Sequence, residues 1–133
     1  MKKTVMCTLL MLFIGFTAVQ AQKNGAEIKF DKTAHDFGKF SEKNPVVTCE
    51  FTFTNTGNKP LVIVQAHASC GCTVPEYTKD PINPGGKGAI KVTYNGTGKY
   101  PGVFAKTITV RSNAETETVR LVVKGEMVAK DKE

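Results

Sequence analysis

From Val46 to Asn55 apolar and polar residues alternate almost without a break: Val47, Cys49, Phe51 and Phe53 on one side, Thr48, Glu50, Thr52 and Thr54 on the other. A period of two predicts a strand with one face in a core and the other in water. Asn55-Thr56-Gly57-Asn58-Lys59-Pro60 is dense in turn formers and ends it. Leu61 to Ala66 follows, with β-branched Val62, Ile63 and Val64 in a nearly continuous apolar run that predicts a strand at the centre of its sheet. Pro81 to Gly88 combines two prolines, which lack an amide donor, with three glycines, and predicts a loop. Beyond it Ile90, Val92 and Tyr94 alternate with Lys91 and Thr93, and Phe104, Ile108 and Val110 share a side opposite Thr107, Thr109 and Arg111. A polar turn over Ser112 to Thr116 leads to a last strand carrying Val119, Leu121 and Val123. Ile28 to Phe30 and His35 to Gly38 predict short edge strands, and the chain from about residue 129 predicts a disordered tail.

No stretch sustains a helical period, and turn signals recur about every 8 to 12 residues, the spacing of a β-sandwich. The expectation is an all-β domain: an immunoglobulin-like β-sandwich of about seven antiparallel strands. Tryptophan is absent. Phe37, Phe51, Phe53 and Phe104 are expected to fill the space between the sheets, each contributing roughly 1.5 to 3 kcal/mol on full burial.

The start of the chain has a different pattern. Lys2 and Lys3 precede an apolar run from Leu9 to Val19, and Val19-Gln20-Ala21 offers small residues for cleavage. This predicts a secretory signal peptide over residues 1–21. The run is shorter than the roughly 20 residues that span a bilayer, so no transmembrane segment is expected. Cleavage would leave residues 22–133 as a single domain, exported to the periplasm or beyond, enough for one core. Loss of Lys2 and Lys3 lowers the net charge from +6 to +4. The remaining basic residues are spread along the chain, which argues for solubility and against nucleic-acid binding.

Taken in order, Phe30, His35-Asp36-Phe37-Gly38, Phe51-Thr52-Phe53-Thr54-Asn55-Thr56-Gly57 with Pro60-Leu61, Ser69-Cys70-Gly71-Cys72-Thr73, Ile82-Asn83-Pro84-Gly85, Ile108-Thr109-Val110 with Ser112-Asn113, and Gly125 resemble the bacterial family called domain of unknown function 1573. The likeness covers nearly the whole chain after the leader. Its Phe-x-Asn-Thr-Gly-x-x-Pro-Leu portion is also similar to hydin-like and PapD-like immunoglobulin domains. The resemblance implies an exported immunoglobulin-like domain with no established reaction and adds no catalytic residues. Ser69 to Thr73 matches the family's most distinctive run, whereas Cys49 and His67 fall outside its pattern.

Cys7 would leave with the leader, so three cysteines remain: Cys49, Cys70 and Cys72. An odd number in an exported chain implies a free thiol, an intermolecular pair or a metal ligand. Several arrangements fit. Cys70 and Cys72, two apart, would sit about 6.6 Å apart in an extended strand, at the long end for a disulfide; a bend at Gly71 would close the gap. Cys49 could instead pair with either, or lie buried as a small apolar side chain. His67, Cys70 and Cys72 form a His-x-x-Cys-x-Cys spacing whose soft ligands suit Cu(I) or Zn(II). Thiol–disulfide exchange is a further use of the pair, without the helix N-terminus that commonly activates such a cysteine.

Other candidates carry less. His35 and Asp36 are adjacent, so on a strand they face opposite ways and form no acid–base dyad. Gly85-Gly86-Lys87 lacks the spacing and the following helix of a phosphate cradle. Asn95-Gly96-Thr97 matches a glycosylation acceptor only formally. With no Ser, His and acid trio and no cofactor motif, the sequence predicts a non-enzymatic binding or structural module that contacts an envelope protein or glycan. Metal binding or redox chemistry at Cys70 and Cys72 is the alternative.

Overall fold

Alternation along the chain becomes eight strands among the described residues: β1 (Ile28–Phe30), β2 (Ala34–Ser41), β3 (Val46–Asn55), β4 (Ile63–Ala68), β5 (Thr73–Tyr77), β6 (Lys87–Asn95), β7 (Gly102–Ser112) and β8 (Thr118–Val128). They are seen in a computed structural model that describes residues 24–132, and the predicted leader lies outside them. The strands form two four-stranded sheets, a first in the order β1-β3-β6-β5 and a second in the order β2-β8-β7-β4. This is the expected all-β, immunoglobulin-like sandwich, with eight strands in place of seven.

Inward positions of β3 and β6 bring Phe51, Phe53, Ile90 and Val92 against Ile108, Val110, Leu121 and Val123 of β7 and β8, all essentially without exposed surface. Phe37 and Phe104 are only half-buried, contrary to expectation. Phe37 still packs against the core from its edge, whereas Phe104 lies beyond it and stacks on Tyr94 with ring centroids 3.8 Å apart, and Phe40 packs edge-on against both rings of that stack.

Four further differences have physical causes. The strand missed in the sequence is β5, whose alternation is broken by Pro75. Pro75 stands opposite Val92 on an edge strand, where a missing donor is tolerated. The apolar run after Pro60 forms not a central strand but the edge strand β4, beginning at Ile63. A register shift between Ile63 and Gln65 turns Val64 outward, leaving it 61% exposed, while Leu61 pairs separately with Ile82. Pairing is not wholly antiparallel, because β2 runs parallel to β8. The first segment changes sheets between β1 and β2: Asp31 N donates to Thr52 O of the first sheet, and Thr33 O accepts from Val122 N of the second. Finally, Lys130–Lys132 forms a 3-10 turn where a tail is predicted, and Lys130 N donates to Glu42 Oε1 at 3.1 Å.

One end of the sandwich is organised by Asn55, a fully buried polar side chain. Its Nδ2 donates to Lys59 O at 2.7 Å and Ile82 O at 2.9 Å, and its Oδ1 accepts from Gly57 N at 3.0 Å and Glu27 N at 3.3 Å. Its backbone N donates to Gly86 O, and its O accepts from Gly85 N. One amide thus satisfies the β3–β4 turn, the segment before β1 and the β5–β6 loop, using all its side-chain capacity. Asn113 does similar work between the end of β7 and the approach to β4, accepting from Val62 N at 2.7 Å and donating to Pro60 O at 3.1 Å. Gly57 lies so close to the segment ahead of β1 that a Cβ there would meet Gly25 O and sit 2.6 Å from Glu27 N.

Two stability predictions follow from this end of the molecule. Asn55→Ala strands buried donors and acceptors and is expected to cost about 3 kcal/mol or more in urea unfolding; Asn55→Asp, which sets carboxylate oxygens against two carbonyls, should recover none of it. Gly57→Ala forces backbone against backbone and is expected to cost at least about 2 kcal/mol in the same measurement.

Candidate functional site

At the opposite end, the chain leaves β4 of the second sheet at Ala68 and enters β5 of the first at Thr73, so Ser69 to Cys72 crosses between the sheets. The crossing is pinned on both sides. Ser69 N donates to Thr107 O at 3.0 Å, Thr73 N to Cys70 O at 3.3 Å, and Asn95 N to Cys72 O at 2.8 Å. Within this frame the α-carbons of Cys70 and Cys72 are 5.4 Å apart and their Sγ atoms are within bonding distance. Both cysteines are half-buried. Thr73 is buried beneath them, with its Oγ1 3.9 Å from Cys70 Sγ and 3.8 Å from Cys72 Sγ.

The approach of the two cysteines does not depend on a glycine-only bend. Gly71 is not among the residues with positive φ, and a Cβ there would meet nothing within 4 Å. The anchored flanks shorten the extended-strand separation, so the structure corrects the expected role of Gly71.

Beside the pair is a shallow concavity of about 250 Å³, lined by His67, Cys70, Gly71, Thr73, Val74 and Pro75 among others. His67 stands exposed on β4 opposite Thr109. It shares this concavity with Cys70, but among the described residues no group of three or more His, Cys, Asp and Glu side chains is gathered to hold a metal ion. The proposed His67, Cys70 and Cys72 clasp is therefore not assembled here. Cys49 is buried on β3 opposite Val92 and unpaired, so it joins neither Cys70 nor Cys72. Burial pushes its thiol pKa up, and Lys32 only partly opposes this.

The other candidates separate as their spacing implies. His35 faces inward, its ring 4.9 Å from that of Phe37, and its Nδ1 is 2.7 Å from Lys32 Nζ. Its pKa is lowered, first by burial and then by Lys32. Asp36 turns the other way and accepts from Gly38 N at 2.8 Å, closing a bulge in which Gly38 has φ +69°. The amide of Gly85 is engaged by Asn55, as is the carbonyl of Gly86, which leaves no phosphate cradle. Asn95 Oδ1 caps its own turn by accepting from Thr97 N at 3.0 Å.

One feature had no signal in the one-dimensional pattern. The β2 bulge, the start of β7 and the end of β8 enclose a second concavity of about 320 Å³, lined by Asp36, Gly38, Lys39, Val103, Lys124 and Glu126 among others. Asp36 faces Lys124 in register, and Lys39 faces Glu126, so opposite charges alternate along it. Only the parallel pairing of β2 with β8 brings these residues together.

Among solved structures the fold is similar to that of a Porphyromonas gingivalis protein of unknown function, 19% identical with a TM-score of 0.68 over 84% of this chain and 51% of that one. The chain thus spans about half the length of that protein. It is also similar to the ASH / PapD-like domain 7 of human CEP192 (10% identity, TM-score 0.59, 79% of this chain and 87% of that one). A third likeness is to the periplasmic chaperone SfaE (11% identity, TM-score 0.53, 77% and 58%). The fold extends as well to part of the secreted serine protease VesC of Vibrio cholerae, of which 23% is covered. No curated protein matches the chain. A family model does match over residues 28–127, all eight strands but the last residue of β8, and the chain belongs to that family, the protein of unknown function DUF1573.

Proposed function

We propose that the chain, freed of its leader after Ala21, is an exported, non-enzymatic binding module of the cell envelope that receives an extended polypeptide along β2. The observation that carries this reading is β2 itself: eight residues long, at the end of its sheet, with β8 as its one strand partner among the described residues. Such an edge leaves backbone donors and acceptors free to pair with another chain. On the face of the same strand, a concavity carries Asp36 and Lys39 of β2 next to Lys124 and Glu126 of β8, within reach of long side chains from a strand added at the edge. The bulge at Gly38 and the charges around it blunt the edge against indiscriminate pairing. Similarity in fold to a periplasmic chaperone supports protein binding and export without naming a partner. The other long edge is less open, since Tyr77 Oη reaches across to Val64 O of β4 at 3.4 Å.

In the same reading Cys70 and Cys72 are joined by a disulfide in the oxidising envelope, and Cys49 stays reduced. Their α-carbon separation lies inside the usual range for such a bond.

Two measurements test these statements. Crosslinking in the envelope followed by capture on the mature domain should recover a protein, and the double variant Lys39→Glu, Lys124→Glu should weaken that capture about three- to tenfold, as expected for two rim charges. Capture of glycan alone, or hydrolytic turnover by the purified domain, overturns the polypeptide-binding reading. Intact mass of the exported protein should begin at Gln22 and fall short by the two hydrogens of one bridge; Gly71→Ala should keep that mass deficit and change stability by less than about 0.5 kcal/mol.

A further inference from the structure

We infer that Cys70 and Cys72 are an exchangeable redox pair, a thiol–disulfide exchange site that oxidises a dithiol in an extended polypeptide. The inference rests on the bridge proposed above and adds chemistry to a binding module. Four observations carry it.

First, the bridge closes a loop of sequence separation 2. Stabilisation by a crosslink grows with the length of chain it closes, so a bridge this short adds little. Second, the frame around it holds without it. Hydrogen bonds from Ser69, Thr73 and Asn95 fix both flanks to β7 and β6, so reduction leaves the two sulfurs facing each other and ready to close again.

Third, the two cysteines differ in what lies beside them. Cys70 lines the open concavity with His67, Val74 and Pro75, whereas Cys72 does not line it. Exposed Val74 supplies an apolar lip for a polypeptide, and exposed His67 lines the same concavity. Fourth, the buried hydroxyl of Thr73 lies against both sulfurs, placed to donate a hydrogen bond to whichever leaves as thiolate. Cys49 has none of these features: it is buried and its thiol is held protonated.

The reaction balances within the pair and its substrate. A substrate thiolate attacks Cys70 Sγ, the Sγ–Sγ bond breaks, and its electron pair goes to Cys72 Sγ, which leaves as a thiolate hydrogen-bonded to Thr73 and is then protonated. The second thiolate of the substrate attacks the substrate sulfur of the mixed disulfide and expels the Cys70 thiolate. The substrate gains a disulfide, and Cys70 and Cys72 take up two electrons and two protons. A low-molecular-weight disulfide restores the pair by the reverse sequence.

The test uses the mature domain in a Cys49→Ala background, with reduced and oxidised glutathione and a synthetic peptide carrying two cysteines as probes. Intact mass is taken first under non-reducing conditions. Free Cys70 and Cys72 at this stage overturn the bridge, and the inference with it. With the bridge present, excess reduced glutathione should reduce at least half of the protein at equilibrium, with the circular dichroism spectrum unchanged, and oxidised glutathione should restore it. Cys72→Ser should trap the peptide as a mixed disulfide on Cys70 several-fold more than Cys70→Ser traps it on Cys72. Thr73→Val should slow exchange about three- to tenfold, the loss expected for one hydrogen bond. A bridge that stays oxidised in excess reduced glutathione, or equal trapping by the two serine variants, overturns the inference while leaving the bridge itself intact.

Discussion

The carboxamide of Asn55 is the interaction on which the rest of the fold depends. A buried amide is costly unless every donor and acceptor is matched, and here the matches lie in three separate segments: before β1, in the β3–β4 turn and in the β5–β6 loop. A single side chain therefore sets where three connections enter the sandwich. Leu61 and Ile82, paired beside it, seal the same end with apolar surface. With that end fixed, β3 and β6 run the length of the first sheet in one continuous register. The opposite end is left to the crossing at Cys70 and Cys72 and to the ring stack of Tyr94 and Phe104.

This division gives the two ends different physical characters. The Asn55 end is saturated with backbone hydrogen bonds and close glycine contacts, so its exposed loops are held in one conformation. The cysteine end joins two edge strands, β4 and β5, through a short exposed link beside a concavity. Surfaces able to change partners sit where the core no longer dictates the conformation. The edge strand β2 runs along the side, where its bulge opens a second concavity without disturbing the packed layer beneath.

How much of this was legible in the sequence depended on whether a feature was local. Period-two alternation sufficed for β3, β6 and β8, whose inward residues are the ones found in the core. Asn-Thr-Gly after Phe53 was readable as a turn, but not as a hub, because its partners at Glu27 and Ile82 are distant in sequence. Local pattern misplaced β4 at the centre of its sheet, since strand order is decided by long-range pairing. It missed β5 because Pro75 interrupts the alternation at an edge position that tolerates it. The closeness of Cys70 and Cys72 is readable from their spacing, but the hydrogen bonds from Ser69 to Thr107 and from Asn95 to Cys72 that hold the crossing join residues distant in sequence and leave no local trace.

The parallel pairing of β2 with β8 ties residues 34–41 to residues 122–128, nearly the full length of the domain. Contacts of such separation form late and slow folding. Until β8 is in place, β2 has no neighbour in its own sheet and β7 lacks one side, so the second sheet exists only as the hairpin-like pair of β4 and β7. The last strand made is thus the keystone: β1, β3, β5 and β6 can pair without it, but the second sheet cannot close over them until β8 is available.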